Sequence, residues 1–271
     1  MAAVDHGADA VYIGAQRFGA RAAAGNSVED IASLCRYAHK FAVKVYVTVN
    51  TILYDEELDA TEKLVWQLYE AGVDALIVQD LALLKMNLPP IPLHASTQMD
   101  NRSADKVKFL QQNGFSQVVL ARELSLQEIK DIHEQCDIPL EVFVHGALCY
   151  CYSGQCLYSS LIGGRSGNRG QCAQPCRLPY KINGEKESQY ILSLKDICTL
   201  EYIPELVEAG IYSFKIEGRM KKPEYVTLVT TMYRKYVDLY LEKGKEGFRV
   251  EPKDKEKLLD LYNRGGSHGG Y

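Results

Sequence analysis

Short runs of β-branched and aliphatic residues recur along the chain, each followed by a stretch of about 10 to 15 residues with helical spacing of its apolar positions. The runs expected as strands are 8–14 (ADAVYIG), 44–50 (KVYVTVN), 74–80 (DALIVQD), 91–97 (IPLHAST), 116–122 (SQVVLAR), 140–146 (LEVFVHG), 190–196 (YILSLKD) and 212–218 (YSFKIEG). Between them lie amphipathic helices with start signals: Ser27 as cap with Glu29 and Asp30 in the first turn, and Ser125 with Glu128 three residues on, a capping box. Strand and helix in alternation mean βαβ units and a parallel sheet. Eight such units over about 240 residues fit a (β/α) TIM-like barrel better than an open sheet.

Polar residues collect where these strands end: Asn50, Gln79, Asp80, His94, Gln98, Arg122, Glu123, His145, Lys195, Asp196, Lys215, Glu217 and Arg219. In a barrel that end carries the chemistry, although loops at sheet ends are polar by default and any one residue is more often simply solvated. Convergence of seven ends outweighs any single one. His145, Glu141, Lys215 and Glu217 are the candidate catalytic groups. Arg122 and Arg219, whose planar guanidinium forks suit a carboxylate, lead the candidate substrate-binding set, with Arg21, His94, Gln98 and Asn50 behind them.

The pattern breaks after the sixth strand. Five of eight cysteines fall at 149, 151, 156, 172 and 176, in a run from Val142 to Gly184 that has no Asp or Glu but holds Arg165, Arg169, Arg177 and Lys181. Four thiolates can hold tetrahedral zinc or an iron–sulfur cluster, and the paired C-x-x-C of zinc ribbons is absent. A segment of this kind also suits an anion or an anionic metal–thiolate centre. Cys35, Cys136 and Cys198 stand alone and read as inert thiols.

Composition adds limits. The chain has 271 residues, 46% hydrophobic and 24% charged, with a net charge of −4. That balance is ordinary for a globular protein and gives no global attraction to nucleic acid, while leaving room for a local basic patch. The start shows no basic region leading into an apolar run and no segment reaches 18 apolar residues, so neither a signal peptide nor a membrane span is expected, and the expected location is the cytoplasm. Clustered thiols there are ligands or redox groups more often than disulfides.

The segment from Glu141 to Ser160, EVFVHGALCYCYSGQCLYSS, resembles the signature of the collagenase-like peptidase family, peptidase family U32, with Glu141, Phe143, Gly146, Cys149, Gly154, Cys156 and Ser159 matching in order. GQCAQPCRLPY, SFKIEGRMKKPEYV, GADAVYIG and FGARAAAGN are similar to it as well. The resemblance implies Cys149, Cys156, Cys172 and Cys176 as ligands of one 4Fe-4S cluster, with Cys151 spare. It also implies hydroxylation at C5 of a pyrimidine in tRNA or rRNA, with prephenate, a small dicarboxylate, as co-substrate, and it allows a paired family homologue as partner. The alternatives are a peptidase and a non-catalytic, zinc-stabilised RNA-binding module. No G-x-S-x-G or H-E-x-x-H supports proteolysis; His145 with a cysteine is the one candidate pair.

Family members usually open with a strand ending in PAG, so the resemblance implies a partial form without the barrel's first strand. The expected organisation is barrel units over 1–146, a cysteine-rich loop and hairpin insertion over 147–189, last barrel units over 190–250, and the start of a truncated C-terminal region over 251–271. Either RNA approaches over Arg165, Arg169, Arg177, Lys181, Arg219, Lys221 and Lys222, interleaved with Tyr150, Tyr152, Tyr158 and Tyr180, or these tyrosines pack the loop against the barrel and the charges balance the anionic cluster.

Overall fold

The structure, a computed structural model, describes residues 1–20, 25–183, 187–218, 220–261 and 263–271. Arg21 and Arg219 lie outside them. Ten strands form one sheet: β1 (Ala10–Ala15), β2 (Gly25–Asn26), β3 (Lys44–Val49), β4 (Ala75–Val78), β5 (Leu93–Ala95), β6 (Gln117–Val119), β7 (Leu140–Gly146), β8 (Asp196–Cys198), β9 (Ser213–Ile216) and β10 (Ser267–His268). Their order is β10-β8-β7-β6-β5-β4-β3-β1-β2, with β9 also on β7, and every pairing is parallel except β7 with β8.

The strands are central and apolar, as parallel strands covered by helices must be. Val45, Val47 and Val49 of β3, Leu76 and Val78 of β4, and Val142 and Val144 of β7 are buried in one core with the helices that follow them. Those helices contribute Ile31 and Cys35 of α2 (Val28–Ala38), Val65 and Leu68 of α3 (Leu58–Glu70), Val107 and Leu110 of α4 (Ala104–Gln112), and Ile129 and Ile132 of α5 (Leu126–His133). Ile203 and Leu206 of α7 (Ile203–Glu208) and Val229, Met232 and Tyr236 of α8 (Pro223–Gly247) complete it. Each fully buried aliphatic side chain stabilises the fold by about 1.5–3 kcal/mol. The expected capping box of Ser125 with Glu128 forms, and Ser27 caps its helix as expected, there too in a box, with Asp30.

The closed barrel does not form among the described residues. The sheet curls until the Tyr12 hydroxyl of β1 donates to the Ile216 carbonyl of β9 at 3.3 Å, yet no backbone ladder joins the two strands. A side chain spans that seam, and an open, parallel-dominated sheet results. The strand expected over 190–196 also fails: β8 begins only at Asp196 and runs antiparallel to β7. Its backbone is committed elsewhere, since Arg177 takes the Leu194 carbonyl and the Ser193 hydroxyl.

Residues 251–271 return to the main body. After α9 (Pro252–Asp260), β10 pairs with β8 and the Tyr271 hydroxyl donates to the Phe143 carbonyl at 2.7 Å. No helix among the described residues is long and apolar enough to cross a membrane.

Candidate active site at the strand ends and the cysteine loop

On the side away from the helices, alternate strand residues are polar. Glu141 of β7 accepts from Gln117 of β6 at 2.6 Å, from Ser213 of β9 at 2.9 Å and from the Lys215 ammonium at 2.5 Å. Lys215 and Glu141 are both almost wholly enclosed, and the Lys215 ammonium lies 4.1 Å from the centre of the Tyr12 ring. A buried ion pair is tolerable only when further hydrogen bonds satisfy it, and here three donors converge on one carboxylate. His94 of β5 packs edge-on against Tyr46 with ring centres 4.7 Å apart, and its Nδ1 has no partner. Burial pushes its pKa down to about 4, with the Glu141 carboxylate pulling the other way, so the ring is neutral at pH 7.

One layer nearer the strand ends, Tyr12, Thr48, Asn50, Ser96, Gln98, Arg122, Phe143, Lys215 and Glu217 line a cavity of about 50 Å3. The Arg122 guanidinium lies flat on the Phe143 ring, 3.7 Å from its centre. One amino group meets Glu217 at 3.4 Å, a long contact, and the buried Nε has no partner. Arg122 is therefore oriented by a ring and only loosely neutralised, which leaves donors for an anion. Asn50 serves structure instead, accepting from the Ala20 amide at 3.0 Å and donating to Ser96 at 3.1 Å.

His145 is not at this cavity. A register shift in β7 between Phe143 and His145 turns the imidazole toward α8, where its ring lies 5.9 Å from Tyr225 and 5.6 Å from Tyr233. Burial lowers its pKa to about 4. Two participants escaped sequence reading, Phe143 beneath Arg122 and Tyr271 over the Phe143 carbonyl. Phe143 could have been found by alternation, being two residues from Glu141 on the same face. Tyr271 has no local signal, because chain return from α9 places it.

The cysteine loop leaves β7 at these strand ends and is clamped there. Ser153 donates through its amide and hydroxyl to Glu123 at 2.8 and 2.9 Å. Arg169 makes a two-pronged pair with Glu57 at 2.5 and 2.7 Å and stacks on Tyr54, holding the Glu57 carboxyl down to about 2. Arg177 joins the Leu148 carbonyl, just before Cys149, to Leu194 and Ser193 beyond the loop. Gly154 abuts Gln98 so closely that a Cβ would lie 2.0 Å from the Gln98 carbonyl oxygen.

Several residues expected on an RNA approach are taken up within the fold. Arg169 and Arg177 are internal fasteners, and Arg165 is turned onto the Gln171 carbonyl at 3.0 Å. Lys221 is half-buried above the Tyr225 ring, and Tyr158 and Tyr180 share a hydrogen bond at 2.8 Å. Lys181, Lys222, Tyr150 and Tyr152 remain exposed.

The five loop thiols are near enough to influence one another's ionisation without being gathered into one site. Burial raises the Cys176 pKa, opposed by Arg177, and Cys149, Cys172 and Cys156 raise it further; burial also raises Cys151, which shares a hydrogen bond with Cys156. The Cys172 sulfur accepts from the Gln174 amide at 3.4 Å and lies 3.9 Å from the Ser159 hydroxyl. All eight cysteines are free thiols, and among the described residues no three ligand groups are yet close enough to hold a metal ion. The donor set nonetheless fits a soft metal centre. Thiols that hinder one another's ionisation, beside an arginine and with an amide N–H on sulfur, are relieved by binding a cation.

An α/β sheet with a polar strand-end cavity and a thiol loop clamped at the same end defines an enzyme-like site. Residues 1–271 match the model of peptidase family U32, and the chain belongs to that family. It is 50% identical over 245 residues to the 23S rRNA 5-hydroxycytidine C2501 synthase of Escherichia coli, covering 89% of this chain and 38% of that protein. It is 38% identical to tRNA hydroxylation protein P1 of Bacillus subtilis, over 97% of this chain and 65% of that protein. A protein named collagenase, from Porphyromonas gingivalis, is 34% identical over 100% of this chain and 70% of its own length. The chain thus spans less than two thirds of the first two relatives.

Proposed function

We propose that this protein takes part in C5 hydroxylation of a pyrimidine in rRNA or tRNA. The observation that carries the reading is Arg122, laid on Phe143, loosely paired with Glu217 and placed beside the buried Lys215–Glu141 pair at the foot of the thiol loop. The names of the two RNA-hydroxylation relatives supply the reaction class.

In this reading Cys149, Cys156, Cys172 and Cys176 hold an iron–sulfur cluster, with zinc as the alternative metal. The cluster would supply one-electron chemistry at the site. Arg122 binds one carboxylate of a prephenate-type dicarboxylate, and Lys215, its charge balanced by Glu141, presents a proton donor to the same cavity. The cavity as it stands has room for roughly three waters, so the metabolite enters only as the lining side chains move apart. The setting is the cytoplasm, with RNA as partner and a family homologue as candidate second subunit.

A peptidase would need an activated nucleophile. Among the described residues no cysteine is hydrogen-bonded to a histidine, and His145 is held neutral between two tyrosines. Nucleoside mass spectrometry of rRNA and tRNA from cells lacking the gene tests the proposal. Loss of a 5-hydroxypyrimidine is expected, and an unchanged set of modified nucleosides would overturn it.

A further inference from the structure

Beside the strand-end cavity, and sharing Gln98 with it, a second hollow opens under the cysteine loop. It is a groove of about 420 Å3. Its lining mixes Ile52, Leu81 and Met99 with Gln79, Gln155 and Lys106. Ile52 and Leu81, 42% and 39% exposed, bring apolar surface to this polar strand end. Gly154, Gln155 and Asn168 of the cysteine loop form one wall of the groove, although none of the cysteines lines it.

We propose that this groove, and not the smaller cavity, receives the unpaired pyrimidine nucleotide that is to be modified. The inference rests on the RNA reading above and deepens it. Size is the first argument. As it stands, the cavity of about 50 Å3 has room for neither a base nor the dicarboxylate without opening, whereas the groove, at about 420 Å3, is already open and falls in the range of ordinary ligand pockets, about 300–1,000 Å3. Two sites then divide two substrates, with the anion on Arg122 and the base in the groove, separated by Gln98.

Chemistry is the second argument. A pyrimidine has two apolar faces and a polar edge, and it must leave its stack to be reached. Ile52, Leu81 and Met99 offer surface to the faces. Gln79 lines the groove with its amide on the Gln98 carbonyl at 3.2 Å and its oxygen enclosed without a hydrogen bond, so that a turn of the side chain presents the oxygen to the edge. Such an acceptor is completed by a donor from a ligand. Asp80 adds acceptor character, although its two oxygens already take the Leu53 and Ala82 amides at 2.9 Å each. A wall of acceptors selects a base edge that carries N–H groups, such as the amino group of cytosine. Lys106 is placed to meet the phosphate, a contact that positions the strand without reading its sequence.

Photocrosslinking tests the assignment. The probe is a nine-nucleotide single-stranded RNA with one central 5-iodocytidine, whose C5 reports the position to be modified, irradiated on the whole protein purified without exposure to air. The crosslink is expected within residues 98–99 or 155–156. Ile52→Glu, at an exposed position that the fold does not need, should lower its yield at least tenfold, and Gln79→Leu should do the same. Crosslinks confined to other segments, or unchanged yields in an Ile52→Glu protein that melts like the parent, would overturn the groove assignment while leaving RNA binding intact. An RNA that fails to bind at all, even at low salt, would overturn both this inference and the RNA reading on which it rests.

Discussion

Arg122 and the Glu141–Lys215 pair have opposite kinds of polarity. The pair is saturated and enclosed, so removing one member leaves a buried charge without a partner, which costs about 3–5 kcal/mol. Lys215→Met should therefore lower the urea midpoint strongly, whereas Glu141→Gln with Lys215→Met together should recover much of the loss. Equal destabilisation by single and double variants would contradict the pairing. Arg122 is the under-satisfied partner, and Arg122→Ala should weaken prephenate binding at least tenfold by calorimetry, with Arg122→Lys intermediate because it keeps the charge and loses the fork. Unchanged affinity in both variants would sink the anion site. His94 and His145 give the protein an acid-sensitive component. Both are neutral when folded, with pKa values lowered to about 4, whereas in the unfolded chain each takes up a proton near pH 6.5. Protonation therefore favours unfolding. Their contribution, on the order of 3 kcal/mol each, is fully present above about pH 6.5 and is lost as pH falls toward 4. Between pH 7.5 and pH 5, melting temperature should fall less for His145→Phe than for the parent, and an identical fall would show that this ring does not titrate as described.

At the scale of elements, the cysteine loop behaves as a docked part rather than a free excursion. Its clamps tie it to the segments after β3, β6 and β7 through Glu57, Glu123 and Leu148. Gly154→Ala drives a methyl group into the Gln98 backbone and also strains a residue with φ of +76°. If the loop holds iron as proposed, that variant should keep the far-ultraviolet spectrum of the parent, bind far less iron than the parent and become open to proteolysis between 150 and 175; iron content and protease resistance equal to the parent's would contradict the docking. Much of this scale was legible in the sequence. Seven strands stand where apolar runs predicted them, because burial on both faces imposes that run on a parallel strand, and Ser27 and Ser125 start their helices because caps are local. The strand over 190–196 was misread because its apolar run is real while its hydrogen bonds go to Arg177, a long-range commitment with no local trace. The same reason explains the arginines of the loop. Composition makes Arg169 and Arg177 look like an RNA-binding surface, and only the fold brings Glu57 and the Leu148 carbonyl to them. His145 lies away from the strand-end cavity through a one-residue register shift, which turns a side chain from one face of a strand to the other.

For the whole molecule, the thiol loop, the arginine cavity and the base-sized groove meet at one end of the sheet, with Gln98 lining both hollows and touching the loop at Gly154. A net charge of −4 means that RNA is not gathered by overall attraction, so recognition falls to local contacts. The central claim is that the metal-binding loop and the anion cavity serve one reaction on RNA. Its most direct test is nucleoside mass spectrometry of rRNA and tRNA from cells lacking the gene and supplied with the whole gene carrying Cys172→Ala, Arg122→Ala or no change. The account predicts that the unchanged gene restores the 5-hydroxypyrimidine and that both variants, though expressed and folded, leave it at or below a tenth of that level. Full restoration by either variant would contradict it.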